Sequence, residues 1–244
     1  IVSGDLAALV ALNTSTFCSA GLSLLASTCT IPYKIRSAGA LFVSGSNNVH
    51  LTGANALIVP TSFEASQDGD FALCNMDVHW LSADGVTKGC DDAASQSIAA
   101  QAFNSEYTLG PCLINATEIA GVQSFRVTPG IEVVKPPLGS GSVFPLFASI
   151  KAVMPTMQLT VNDWDAIAGT VGDFTAMTSA NVYLKKRADS GVFTADATEE
   201  HIRFTFAAGL ADTDSISVSN NDDGSATITL HGKVLTAAAG VALP

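Results

Sequence analysis

Between residues 6 and 63 the chain carries only two charged side chains, Lys34 and Arg36. Uncharged runs flank them, Leu6–Tyr33 and Ser37–Phe63. Such stretches belong in a membrane, a core or a large buried interface. The membrane reading fails on the pattern. Asn13, Thr14, Ser15, Ser19, Ser23, Ser27, Pro32, Asn47 and Asn48 interrupt every apolar run. A spanning helix needs about 18 or more consecutive apolar residues. What remains is a chain with little polar clothing of its own, which predicts burial against copies of itself or against other proteins.

The composition points the same way. Charged residues make up 14% of the chain, against about 25% in ordinary soluble proteins. Mean hydropathy is +0.36. A monomer keeps itself soluble with polar groups, whereas an oligomer replaces part of that covering with neighbours, and obligate interfaces are poor in charge at their centres. The charges present are lopsided, 22 acidic against 11 basic. Nucleic-acid binding needs clustered Lys and Arg. The one cluster is Lys185-Lys186-Arg187, so sequence-specific DNA or RNA binding is not expected. A negative surface repels DNA and suits a conduit.

The 244 residues allow one large all-β domain or two modest ones. The strongest strand signals are C-terminal. In His201-Ile-Arg-Phe-Thr-Phe-Ala, the residues Ile202, Phe204 and Phe206 share one face and His201, Arg203 and Thr205 the other. Ser215–Ser219 and Ala226–His231 alternate too, around the polar Asn220–Gly224 loop, and predict a hairpin. Asn181–Arg187 reads as a strand ended by Ala188–Gly191. Ser149–Val161 is extended, and Pro155 within it argues for an edge strand or a bulge. One helix is expected near 163–171: Asn162 caps it, Asp163 and Asp165 suit its dipole, and Trp164, Ile167, Ala168 and Val171 share a face.

Earlier in the chain, Phe71–Leu81 and Gly121–Thr128 read as strands, and Asp91–Phe103 has helical spacing at Ile98, Ala99, Ala102 and Phe103. Lys135–Ser142, rich in Pro, Gly and Ser, reads as a loop or linker. The expected organisation is a β-rich lobe over 1–134, integrated with the rest or separate, a loop or linker over 135–148, and a β-sandwich lobe with its helix over 149–244. The fold class is mainly β, with sandwich- or barrel-forming sheets and a short packed helix.

The sequence holds no catalytic, cofactor or metal motif. A G-x-S-x-G elbow, a Walker A loop, a G-x-G-x-x-G turn and an H-E-x-x-H helix are all missing. Gly139-Ser-Gly-Ser lacks the strand–helix setting of a phosphate loop. Asp68-Gly-Asp70, Asp212-Thr-Asp214 and Asp222-Asp223-Gly224 do not match a calcium loop with its closing Glu, and they read as turns. Glu199-Glu200-His201 sets carboxylates beside a histidine without a nucleophile nearby in sequence. His79 beside Trp80 reads as an ordinary strand pair.

Cys18, Cys29, Cys74, Cys90 and Cys112 are odd in number and lack C-x-x-C spacing. They read as buried thiols, with Cys18–Cys29 or Cys90–Cys112 left open as bridges. Leu6–Leu12 has the apolarity of a signal segment but no basic flank, and Asp5 sits where positive charge belongs. A short buried helix or strand explains it equally. The sequons at Asn13 and Asn115 read as coincidences of a Ser- and Thr-rich chain.

Gly121-Val-Gln-Ser-Phe-Arg-Val-Thr-Pro-Gly-Ile-Glu-Val, then Ser149–Val161, the capped helix, Asn181–Arg187 and the closing hairpin follow an order that resembles the tail tube proteins of tailed bacteriophages. The resemblance covers mainly residues 119–232. It implies a virion protein without enzymatic activity, assembled in the host cytoplasm. Its partners would be copies of itself in stacked, commonly hexameric rings and other virion proteins, with no membrane. Neighbouring sheets would join into an inner barrel, and DNA would pass as non-adhering cargo through an acidic lumen. The first 118 residues exceed a minimal tube subunit. That leaves a distal tail, terminator or capsid decoration protein as alternatives, and a secreted β-sandwich binding module or hydrolase from another class.

Overall fold

Period-2 alternation runs through most of the chain, and strands follow it. The computed structural model describes residues 17–25, 27–33, 48–68, 71–96, 106–136, 141–162, 176–188, 190–217 and 225–244. In chain order the elements are the one-turn helix α1 (Phe17–Ala20), β1 (Leu22–Leu24), β2 (Cys29–Tyr33), β3 (Asn48–Gly53), β4 (Ala56–Ser66), β5 (Leu73–Trp80), β6 (Asp91–Gln96) and β7 (Glu106–Ile114). They continue with β8 (Thr117–Glu118), β9 (Val122–Thr128), β10 (Ile131–Val134), β11 (Ser149–Val153), β12 (Thr156–Val161), β13 (Ala176–Arg187), β14 (His201–Ser217) and β15 (Ser225–Val241).

Ten strands form one antiparallel sheet in the order β1-β4-β9-β12-β15-β14-β13-β7-β8, with β5 also paired to β4. Strands that follow residues 135–148 (β12, β15, β14 and β13) form its middle, flanked on both sides by strands that precede them. A ladder of β2, β3 and β6 and a pair of β10 and β11 complete the fold.

The sheet rolls so that its two halves face each other across one core, a sandwich-like arrangement. Phe63 on β4 and Phe204 on β14 have three strands, β9, β12 and β15, between them in the sheet order, yet their ring centroids are 4.6 Å apart. Ala72, just before β5, donates its N–H to the Tyr107 carbonyl of β7 at 2.6 Å, drawing the two margins together. Ile202, Phe204, Phe206, Ile228 and Leu230 are all fully buried, as the alternation predicts. Met157, Leu159, Phe125, Val127, Val182 and Leu184 join them from β12, β9 and β13. Phe17 of α1 closes the core edge-on against Phe63.

The strands expected around Phe71–Leu81, Gly121–Thr128 and Asn181–Arg187 are present, and β14 and β15 form the hairpin over 17 residues each. Three expectations are corrected. Asp91–Gln96 is strand, because β3 offers it an open edge from Thr52 to Asn48. Pro155 is neither in an edge strand nor at a bulge. It separates β11 from β12, and β12 is interior, paired to β9 and β15. Asp212 and Asp214 lie in β14 rather than in a turn, and the register shift between Thr213 and Ser215 makes Asp214 a bulge. The helix expected near 163–171, the Leu6–Leu12 run, the Asn220–Gly224 loop and the residues Ile98, Ala99, Ala102 and Phe103 that carried the helical spacing lie outside the described residues.

Candidate functional site

Among the described residues, the long hairpin has two half-edges with no neighbouring strand. β13 covers β14 only from Ile202 to Leu210, and β12 covers β15 only from Ala226 to His231. Among the described residues, no strand lies outside β14 from Ala211 to Ser217, or outside β15 from Lys233 to Val241. The open halves are on opposite sides and at opposite ends of the ribbon.

One bond gives the direction of the groups on β15. Gly232 donates its N–H to the Pro155 carbonyl at 3.1 Å, on the β12 side. Backbone groups alternate, so Val234, Thr236 and Ala238 aim their N–H and C=O the same way, away from β14. Their side chains lie on the outer face, because Leu235 and Ala237 face the core.

The basic cluster is neutralised within the subunit. Lys185 reaches Asp196 at 2.6 Å, Lys186 reaches Glu200 at 3.0 Å, and Arg187 reaches Glu106 at 2.8 Å. The Lys185 ammonium also lies 5.3 Å from the Phe193 ring centroid. Asp196 is held below the usual carboxylate range, first by its hydrogen bond from Lys185.

His201 does not sit on a solvated polar face. It is fully buried, accepting the Lys186 N–H at Nδ1 (3.0 Å) and leaving Nε2 to donate to the Ala195 carbonyl (3.2 Å). Both ring nitrogens are thus engaged by backbone, which makes the imidazole a pin between β13, β14 and the 190–200 loop rather than a base. Glu200 is taken up by Lys186. His79 is half-buried on β5, its pKa lowered by desolvation and then by Lys135. Trp80 packs over Gly53, where an added Cβ would collide with the indole.

All five cysteines are free, which closes the question of the Cys18–Cys29 and Cys90–Cys112 bridges. Burial pushes Cys18, Cys74 and Cys112 up to about 12 and raises Cys29 as well. These are unreactive thiols acting as small hydrophobes. Among the described residues, no group of three His, Cys, Asp or Glu side chains could hold a metal ion. Asp68 is exposed after β4, while Asp70, Asp222, Asp223, Gly139 and Asn13 fall outside the described residues. Asn115 serves the β7–β8 turn, its Oδ1 accepting the Thr178 N–H at 2.8 Å. No described helix is long and apolar enough to cross a membrane.

The sequence reading missed a feature at the Ala56 end of β4. The loop after β5 is braced by its own side chains. Asp84 accepts the N–H groups of Val86 and Thr87 at 2.8 and 2.7 Å, and Ser82 Oγ accepts from Gly85 at 2.9 Å. The Gly85 carbonyl then accepts from Val143 and Phe144, and Ser82 donates its N–H to Pro145. The joined loops hold Val86, Val143, Leu146 and Phe147 in solvent, at 64, 76, 36 and 53% exposure. The Ser82-x-Asp84-Gly85 spacing was the available turn signal.

At the Ser66 end of β4 lies a slot of about 590 Å3, between the β7 margin at Thr108–Pro111 and the 118–122 segment. Lys185 and Arg187, already paired, stand in its wall. No known protein family matches this chain, and no curated protein sequence does either.

Proposed function

We propose that this chain is a self-assembling structural subunit of a phage virion, a tail tube protein whose copies join laterally through their sheets around an acidic conduit. One observation carries the reading, the pair of open half-edges on the β14–β15 hairpin. An open edge is a template for another strand, and an unprotected one is an aggregation hazard. The two half-edges are complementary in placement. Ala211–Ser217 of one copy meets Lys233–Val241 of the next, antiparallel, and the sheet continues from subunit to subunit. The low charge, the net of −11 and the order of elements in the C-terminal half support the same reading. Excess acid lets DNA pass without adhering.

The experiment places proline at Thr236. That substitution removes an N–H aimed outward, a position where an edge strand tolerates proline. The unmodified chain is expected to sediment far above its 25.0 kDa mass and to show rings or tubes by electron microscopy. Thr236→Pro is expected to keep its β-sheet circular dichroism and lose lateral assembly. A folded, unmodified chain that stays monomeric at micromolar concentration refutes the proposal.

A further inference from the structure

The outer face of β4, β9, β12 and β15 holds a second recess, of about 600 Å3. Strand register sets its side chains in two rows. Glu64, Arg126 and Gln158 are direct neighbours in one. Ser66, Ser124, Thr160 and Thr227 are neighbours in the other. Neighbours within a row are roughly 5 Å apart, and the rows are roughly 7 Å apart along the strands. Leu73, beside Glu64 in register, and Phe71 form an apolar border.

We propose that this face binds a neutral glycan, whose hydroxyls are held by Glu64, Arg126 and Gln158. The inference goes beyond the assembly reading and does not depend on it.

The Glu64 carboxylate is fixed, unlike that of an ordinary solvated sheet face. Its Oε1 accepts from the buried Ser62 hydroxyl at 2.7 Å and from Asn75 Nδ2 at 3.4 Å, and it lies 3.3 Å from Arg126 Nε. Asn75 also donates to Ser62 at 2.9 Å, which locks the set. Among the described residues, nothing bonds Glu64 Oε2, the two Arg126 Nη groups or the Gln158 amide. A held acceptor oxygen therefore stands beside free forked donors. That pair matches adjacent hydroxyls, which donate and accept at once. The hydroxyl row extends the same chemistry, and Phe71 and Leu73 suit the C–H face of a sugar ring.

Charge and topology exclude other occupants. Glu64 and Arg126 are the only charged residues lining the recess, and they neutralise each other. Arg187, 5.6 Å from the Phe71 ring centroid, is matched by Glu106. An anion would meet Glu64, and a cation would meet Arg126. A peptide added as a strand needs an open edge. At the Glu64 row, β4, β9 and β12 are each paired on both sides.

Isothermal titration of the full chain with maltohexaose, cellohexaose and chitohexaose tests this. Saturable binding of at least one is expected, with Kd on the order of 1 mM or tighter, and insensitive to added salt. Arg126→Ala and Gln158→Ala, both at exposed positions, are each expected to weaken it by about tenfold or more with circular dichroism unchanged. Lys151→Ala, which removes an ion pair on the separate β10–β11 ladder, leaves binding intact. Thr236→Pro leaves it intact as well, so failure here and failure of lateral pairing are read separately. A folded chain that binds none of the three sugars overturns the proposal. So does binding that survives both recess substitutions. Salt-sensitive binding of oligogalacturonate in place of the neutral sugars also overturns it, because Arg126 would then be an anion site.

Discussion

Phe204→Ala is the most demanding test of the rolled sheet. Phe204 is fully buried, and its ring packs on Phe63 with centroids 4.6 Å apart and planes 41° apart. A buried Phe removes roughly 150–250 Å2 from water. At about 25 cal/mol per Å2 that is worth ~4–6 kcal/mol, part of which alanine retains. Residual cavity raises the loss, so the expected cost is about 3–5 kcal/mol. In a chain of this size each kcal/mol shifts Tm by roughly 2–4 °C, so a drop on the order of 10 °C is expected. Urea unfolding followed by circular dichroism reads the free energy directly, under conditions that keep the subunit monomeric. Phe63→Ala and the double variant complete a cycle. Their coupling is expected at about 0.5–1.5 kcal/mol if the rings pack across the interior. A cost below ~1 kcal/mol, or zero coupling, would mean that β4 and β14 do not face each other and would refute the sandwich-like roll.

Thiol titration of the folded chain at pH 8 should modify Cys90 and spare Cys18, Cys74 and Cys112, whose pKa values near 12 keep them protonated; denaturant should release all five thiols. Rapid modification of Cys112 in the folded protein would contradict its burial. Asp84 is held well below the ordinary carboxylate range by the Thr87 and Val86 amides and the Thr87 hydroxyl. Its folded pKa lies below its unfolded value, so the bracing is complete above pH ~4 and fades as pH falls toward the depressed value. Amide exchange of Val86 and Thr87 should therefore be slow at pH 5 relative to an Asp84→Ala variant, with the difference closing in strong acid.

Much of the fold is written in the chain as alternation. Ile202, Phe204 and Phe206 announce the core face of β14, and Ile228 and Leu230 that of β15, because a one-residue slip would turn them all outward. What alternation leaves out is pairing. Asp91–Gln96 has weak local preference, and the edge of β3 decides its state. Pro155 reads locally as an edge or bulge residue, yet it falls between two strands with different partners. His201 alternates onto the side of Arg203, but the 190–200 loop folds over it. The joined loops that expose Val86 and Phe147 were illegible for a related reason. Val86 and Phe147 are 61 residues apart, and the bonds that the Gly85 carbonyl accepts from Val143 and Phe144, with the one that Ser82 donates to Pro145, bring their loops together.

The charge pattern bears on the open edges and on the exposed apolar loops. Six ion pairs take up Lys88, Arg126, Lys151, Lys185, Lys186 and Arg187 with six carboxylates. Those are six of the eleven basic residues, so sixteen acidic side chains stand against five basic ones outside these pairs. Lateral attraction between such subunits by complementary charge is therefore weak, and like-charge repulsion opposes close approach. Under the proposed assembly, contacts between copies draw on non-ionic terms, which are backbone pairing along a strand and apolar burial. The open halves of β14 and β15 supply unpaired strand edge, and Val86, Val143, Leu146 and Phe147 supply exposed apolar area. The β15 half-edge from Val234 to Val241 and the Gly141–Ile150 segment have no ionisable side chain, whereas the β14 half-edge carries Asp212 and Asp214, and Val86 stands between Asp84 and Lys88. Under the proposed assembly, the acidic β14 half-edge meets the uncharged part of the β15 half-edge rather than a second acidic edge, which spares the contact like-charge repulsion.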